Sequence, residues 1–215
     1  SMSAADFFMF FRGLAWTVAL TIGSFAIGAV LAVPLLAARR SRFLAARLLA
    51  AAVIQIIRAI PPILWLFIIF FGLGMSYFPI NPFVAALSGL GLIAAANMAE
   101  IYRGALSSIH HGQWEASTAL DLGRWYTMRD VVAPQAFRVA LPSAASYLIG
   151  LMKETAVAST IGVTELVYQG NQLSQLTFRG LEIFAVVGLF YIFLSLPVAW
   201  LSRLTDAHLR SKVAR

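Results

Sequence analysis

Long uncharged stretches alternate along the chain with short basic ones. No residue from Gly13 to Ala38 is charged, and a helix needs about 20 mostly apolar residues to cross a bilayer. Arg39, Arg40, Arg42 and Arg47 follow as a short basic loop. The next uncharged stretch, Ala59 to Ala99, is too long for one helix. Turn signals at Gly72-Leu73-Gly74 and Phe78-Pro79-Ile80-Asn81-Pro82 divide it. The pattern therefore predicts a second span over Leu48–Tyr77 and a third over Pro82–Gly104. After a polar segment, Ser107 to Asp130, a fourth span begins near Pro134 and carries Lys153-Glu154 towards its far end. Ile183–Ser202 is a fifth. The fold class expected is an all-α integral membrane protein of about five transmembrane helices. Residues 1–215 are expected to form a single transmembrane domain.

Composition excludes the soluble alternatives. Hydrophobic residues make up 60% of the chain and charged residues 12%, against roughly 45–50% and 25% in soluble domains. A disordered chain would be poor in just those apolar and aromatic residues. With no cysteine there is no disulfide, iron–sulfur cluster or thiolate chemistry. The net charge of +7 has a topological reading, because Lys and Arg collect on the cytoplasmic side of membrane proteins; no nucleic acid partner is implied. Twelve of the sixteen fall on one side: Arg39, Arg40, Arg42, Arg47, Arg103, Arg124, Arg129, Arg138, Arg203, Arg210, Lys212 and Arg215. The N-terminus is thus expected outside, with the 107–130 loop and the C-terminus in the cytoplasm. His110, His111 and His208 lie outside the spans, which argues against haem ligated within the membrane. No G-x-x-x-x-G-K-[ST] phosphate loop is present, so the chain has no nucleotide site of that kind. No internal repeat is visible, which weighs against carriers built from paired repeats.

The polar loop holds the most specific pattern. Glu115, Ala116, Ala119, Leu120 and Leu122 fit a short amphipathic helix, for which Gly123 would be the C-cap. Pro134 would open the next helix and Pro142 kink it. Spacing alone leaves two readings, an ordinary capped loop helix or a structured cytoplasmic elbow with a task.

This loop resembles the E-A-A-x(3)-G-x(9)-I-x-L-P motif of importer permeases in the ATP-binding-cassette (ABC) family. Glu115, Ala116, Gly123, Leu141 and Pro142 take the motif positions, with Ser117 for the second alanine and a longer tail. Further segments are similar to the polar amino acid uptake branch, in the same order: Arg58-Ala59-Ile60-Pro61, Phe71-Gly72-Leu73, Ala99-Glu100-Ile101-Tyr102-Arg103-Gly104, Gly112-Gln113-Trp114-Glu115-Ala116, Lys153-Glu154-Thr155 and Ser159-x-Ile161-Gly162-x-x-Glu165-Leu166. Trp65 departs from the pattern, where many relatives carry Gln. The resemblance covers about residues 12–206, with the coupling loop at 107–130. It implies a type I importer permease fold in the bacterial cytoplasmic (inner) membrane, paired with a second permease subunit as homo- or heterodimer. It also implies ABC ATPase subunits that bind ATP and magnesium, an extracytoplasmic solute-binding protein, and an amino acid as substrate. This chain itself would hold no cofactor or metal and catalyse no reaction. Glu115, Ala116, Gly123, Leu141 and Pro142 would couple it to the ATPase. Two other classes fit the absent nucleotide motif: an ion-coupled secondary carrier with Glu100 or Glu154 as proton site, and a membrane assembly subunit that moves nothing.

Charges within spans carry the remaining information. Arg58 follows Arg47 by 11 residues, roughly 16 Å along a helix and so near mid-membrane. Lys153 and Glu154 lie similarly deep. A central charge costs about 2.5–3.5 kcal/mol or more, so each should face protein or water. One reading is a structural ion pair of Arg58 or Lys153 with Glu154 or Glu100. The other is a substrate path, with Thr155 and Ser159 extending a polar stripe and Arg58 opposite Glu154. Glu100 and Arg103, three apart, are expected to pair along one helix face near a gate.

Overall fold

In the computed structural model, residues 4–213 are described, with side chains described for 6–205. Arg210, Lys212, Arg215 and His208, used above for orientation or haem, lie outside the described side chains. The described residues form helices and turns without strands. Helix α1 covers Ala4–Arg39 and α2 Leu44–Ala59. After a break come α3, Pro62–Phe67, and a π-helical stretch, Ile68–Gly74. Helix α4 covers Pro82–Ser107. Three helices (α1, α4 and the last one) are long and apolar enough to span a bilayer, and the bent α2–α3 pair makes a fourth if counted as one span.

The second span is not the single helix that the apolar run predicts. Its two parts meet at 98°. Pro61 has no N–H to give and disfavours helical geometry at the residue before it, and Ile60 is accordingly extended at φ −87°, ψ 128°. The Trp65 indole donates to the Ile57 carbonyl across this corner at 3.1 Å, satisfying an acceptor that the break sets free. Trp65 thereby acts as a clasp.

Helix α4 is the centre of the molecule. Ala85, Ala86, Leu90, Ala94, Ala95, Ala96 and Ala99 are all buried, and small residues let neighbouring backbones approach closely. Its seam with α1 runs through Leu87 against Gly23, Gly91 against Ile27, and Ala94 against Gly28. A Cβ on Gly28 would stand 2.7 Å from the Ala94 carbonyl carbon. Farther along, the Tyr102 hydroxyl donates to the Ala29 carbonyl at 3.3 Å.

The second half begins with α5, His111–Ala119, and α6, Arg124–Tyr126. A π-helical stretch, Thr127–Val132, then leads into α7, Ala133–Glu154, with Pro142 inside it. A 3-10 segment, Thr155–Ile161, ends at Gly162 with φ 94°, a left-handed turn that suits glycine. Helix α8 is Leu166–Thr177 and α9 is Gly180–Val213. Glu165 caps α8 and is wholly buried. Its carboxylate accepts from the Val167 and Tyr168 amides at 2.9 and 2.8 Å and from the Tyr191 hydroxyl of α9 at 3.2 Å. The Leu166 amide donates to Thr17 Oγ1 of α1 at 3.2 Å. The buried carboxylate thus ties the start of α8 to α9, and the Leu166 amide ties it to α1.

The α1–α4 seam yields a test of the fold. Gly28→Ala must push backbone apart, and overpacking of that kind costs about 1–3 kcal/mol. Gly188→Ala, with nothing within 4 Å of the added Cβ, is the control. The melting temperature in detergent should fall for the first variant and hold or rise for the second.

Candidate functional site

Two places bring the sequence-predicted residues together. The first is the elbow. Helix α5 is opened by His110, whose Nδ1 accepts from the Gly112 amide at 3.1 Å. His111 and Glu115 pair along its outer face at 2.9 Å. With Trp114, Thr118 and Ala119 they line an open hollow of about 530 Å³. On the inner face only Ser117 is buried, its hydroxyl donating to the Gln113 carbonyl. Beyond the helix, Arg129 grips Asp130 at 2.7 Å and lies over the Tyr126 ring. That guanidinium holds the Asp130 carboxyl below the usual carboxylate range.

The end of α5 corrects the expected cap. Gly123 is not a left-handed C-cap: its φ is −58° and ψ 151°, and it precedes α6 as N-cap. The residue in the left-handed region is Asp121, at φ 53°, a conformation that Asp tolerates better than most non-glycine residues. Counting E-A-A-x(3)-G from Glu115 lands on Asp121, and x(9)-I-x-L-P then lands on Val131, Ala133 and Pro134. The elbow motif thus ends at Pro134, while Leu141 and Pro142 lie two turns farther along α7. The expected register took Gly123 for the cap because glycine is the residue that positive φ favours, whereas the left-handed position here is Asp121, two residues earlier.

The second place is a polar track, a set of side chains contributed by α2, α4 and α7 and running from exposed Arg58 to half-buried Asn97, Tyr147 and Glu154. Arg58 Nε donates to Asn97 Oδ1 at 3.2 Å, and Asn97 Nδ2 donates to the Ile93 carbonyl at 3.0 Å. Tyr147 packs between the two main core clusters. Its hydroxyl is buried without a hydrogen-bond partner. Glu154 ends the track with a buried Oε2 that has no donor. A shielded carboxylate oxygen without a partner forgoes a bond worth about 1–3 kcal/mol.

Two expectations about this region change. Arg58 is bonded to Asn97, so it does not neutralise Glu154 within the chain. Thr155 and Ser159 do not form a stripe: they sit in a 3-10 segment, where residues four apart diverge. Thr155 is wholly buried, with its hydroxyl on the Met152 carbonyl, and Ser159 bonds the Ala156 carbonyl. Lys153 is exposed on the chain surface. Glu100 and Arg103 do meet, at 2.9 Å along α4. Asn97 and Tyr147 were absent from the expected site. An Asn inside the apolar part of a span, one turn before the Glu100–Arg103 pair, was the available signal for the first; Tyr147 offers none, since tyrosine is common in spans for packing alone.

The chain combines apolar helices long enough to span a bilayer, polar side chains among them and a helical elbow after α4. The chain belongs to the family of binding-protein-dependent transport system inner membrane components, whose profile matches residues 24–211. It is similar to the probable amino-acid ABC transporter permease protein YckA of Bacillus subtilis, with 34% identity over 180 residues, 84% of this chain and 80% of that protein. The glutamine transport system permease protein GlnP of Escherichia coli K12 is 37% identical over 159 residues, 73% of each chain. The crystal structure of an amino acid ABC transporter with histidines superposes with a TM-score of 0.87, at 29% identity, covering 93% of this chain and 94% of that one. A component of this family is a multi-pass inner-membrane transport subunit rather than an enzyme, ATP hydrolysis belonging to a separate subunit.

The corrected elbow geometry makes three substitutions diverge. Asp121→Gly should raise the melting temperature slightly, since glycine removes a left-handed cost of about 1 kcal/mol. Asp121→Val should lower it. Gly123→Ala should leave it unchanged, because the new Cβ would meet only Tyr126 Cδ2 at an ordinary 3.7 Å. Differential scanning fluorimetry of the purified chain separates the three.

Proposed function

We propose that this chain is the permease subunit of an ATP-driven importer of polar amino acids. The 107–130 elbow docks an ABC ATPase subunit, and an extracytoplasmic solute-binding protein delivers the ligand. The N-terminus faces out and the C-terminus faces the cytoplasm, in keeping with the arginines placed at the inner ends of α1, α4 and α9 and in the elbow. The chain works as a dimer with a copy of itself or a related permease, giving one elbow for each ATPase. Glu115 and Ala116, on α5, belong to the docking helix, and Gly123 to the turn that follows it.

The observation that carries the reading is the polar track. An amino acid backbone presents an ammonium and a carboxylate, and both lose hydration on leaving water. Arg58 is a fixed cation at one end of the track, and Glu154 offers an uncommitted carboxylate oxygen at the other. Opposite charges, with the polar groups of Asn97 and Tyr147 on the same helices, suit a zwitterion, and charged groups at this depth are otherwise costly. Lys153 borders this path on the surface of α7, and the Glu100–Arg103 pair closes its inner end. The names of similar proteins, one for glutamine and one with histidines, support an amino acid as the ligand class.

Glu154→Gln, assayed in proteoliposomes with the ATPase and the binding protein, is the test. Exchanging a charged for a neutral acceptor weakens an ammonium contact by about 1.5 kcal/mol, roughly tenfold in apparent KM for transport. Assembly with the ATPase should remain intact. Unchanged transport kinetics in an intact complex would remove Glu154 from the path.

A further inference from the structure

Helix α5 is held to the rest of the chain sparingly, with Ser117 its one buried residue. A single side-chain hydrogen bond crosses from it to α7 among the described residues: Gln135 Nε2 donates to Gln113 Oε1 at 3.1 Å, across 22 positions of sequence. The same nitrogen donates to the Val131 carbonyl at 2.9 Å. A primary amide has two N–H groups, and both are therefore engaged. Val131 belongs to the π-helical stretch 127–132 that joins the elbow to α7. One nitrogen thus links three pieces: the elbow helix, the irregular turn, and the regular helix that carries Tyr147 and Glu154.

The local energetics favour a mechanical role over a stabilising one. Gln113 is exposed and Gln135 half-buried, and a hydrogen bond that competes with water adds little to folding. Its geometry, however, fixes the register of α5 against the first turn of α7. A π-helical stretch is an uncommon and less favourable conformation, seen often where a helix must shift. Gln135 straddles the end of that stretch, so a displacement of α5 pulls on Val131 and Gln135 together.

We propose that Gln113 and Gln135 are a positioning pair that transmits displacement of the elbow helix into α7 and so to the Glu154 end of the polar track. This rests on the elbow being the ATPase dock. Neither residue touches substrate; both act through the helices they join. Isosteric exchange separates the roles. Gln135→Glu keeps size and shape but loses both donors, leaving carboxylate oxygens against two acceptors. Adding Gln113→Lys restores the link with donor and acceptor reversed.

The experiment uses the complete complex of permease, ATPase and binding protein in proteoliposomes, with the melting temperature and ATPase copurification of each variant. Gln135→Glu should copurify the ATPase and melt as the unaltered protein does. Transport per ATP hydrolysed should fall about fivefold, the population change that one ordinary hydrogen bond sets. Gln113→Lys combined with Gln135→Glu should recover most of that loss. Normal transport per ATP in Gln135→Glu, a loss that the second substitution does not recover, or a loss explained by failed copurification would each overturn the proposal. Glu115→Lys reports separately on the dock: retention of the ATPase by that variant counts against the docking reading, whatever Gln135→Glu does.

Discussion

The close crossing of α1 and α4 is the contact on which the other features depend. Gly28 lies against the Ala94 backbone, and along the same seam Gly23 and Gly91 make room for the Leu87 and Ile27 side chains, so α1 lies close against α4. In a lipid environment helices gain little from burying apolar surface against one another, so close van der Waals packing of small residues carries the association. With one face of α4 sealed by α1, its flank is free to take α2 and α7. Asn97 lies three residues past Ala94 on that flank and reaches Arg58. The polar track exists because the seam fixes which way α4 faces.

A second constraint shapes the breaks. Irregular backbone is tolerated at membrane depth only where protein or enclosed water satisfies its freed groups. The corner at Ile60-Pro61 meets this with the Trp65 indole on the Ile57 carbonyl. The turn before α8 meets it differently, with Glu165 covering two amides and Thr17 a third. The first device sits beside Arg58 and the second draws α1, α8 and α9 together. Broken helices and buried polar side chains are thus one system here, each supplying partners the other needs.

Much of this was legible in the sequence, and the remainder was hidden for identifiable reasons. Uncharged runs located α1, α4 and α9, since hydropathy reports directly on the cost of placing charge in hydrocarbon. The 98° corner was not anticipated, because Pro61-Pro62 is apolar and disappears into an apolar run. The Glu100–Arg103 pair followed from helical spacing. The Thr155–Ser159 stripe did not survive, because spacing predicts a shared face only if the helix stays α, and here it tightens to 3-10. The elbow was located by its motif residues, yet its left-handed residue was misplaced onto Gly123. Composition points to glycine for positive φ, whereas the chain uses Asp121.

That substitution of Asp for a glycine-like position bears on how the elbow works. A left-handed Asp holds its conformation at some cost, and the two residues after it are free to extend, as Gly123 does at φ −58° and ψ 151°. The connection from α5 to α7 is therefore a strained turn, an extended linker, one short turn of helix and a π-helical stretch, in that order. None of these pieces is stiff alone. Rigid-body movement of α5 would be lost in such a series if the backbone were the only path. The side-chain bridge from Gln113 to Gln135 bypasses all four pieces and meets α7 at its first regular turn. Under the proposed coupling, a compliant backbone paired with a direct lateral tie would let the elbow settle onto a partner while keeping its displacement coupled to the helix that carries Glu154.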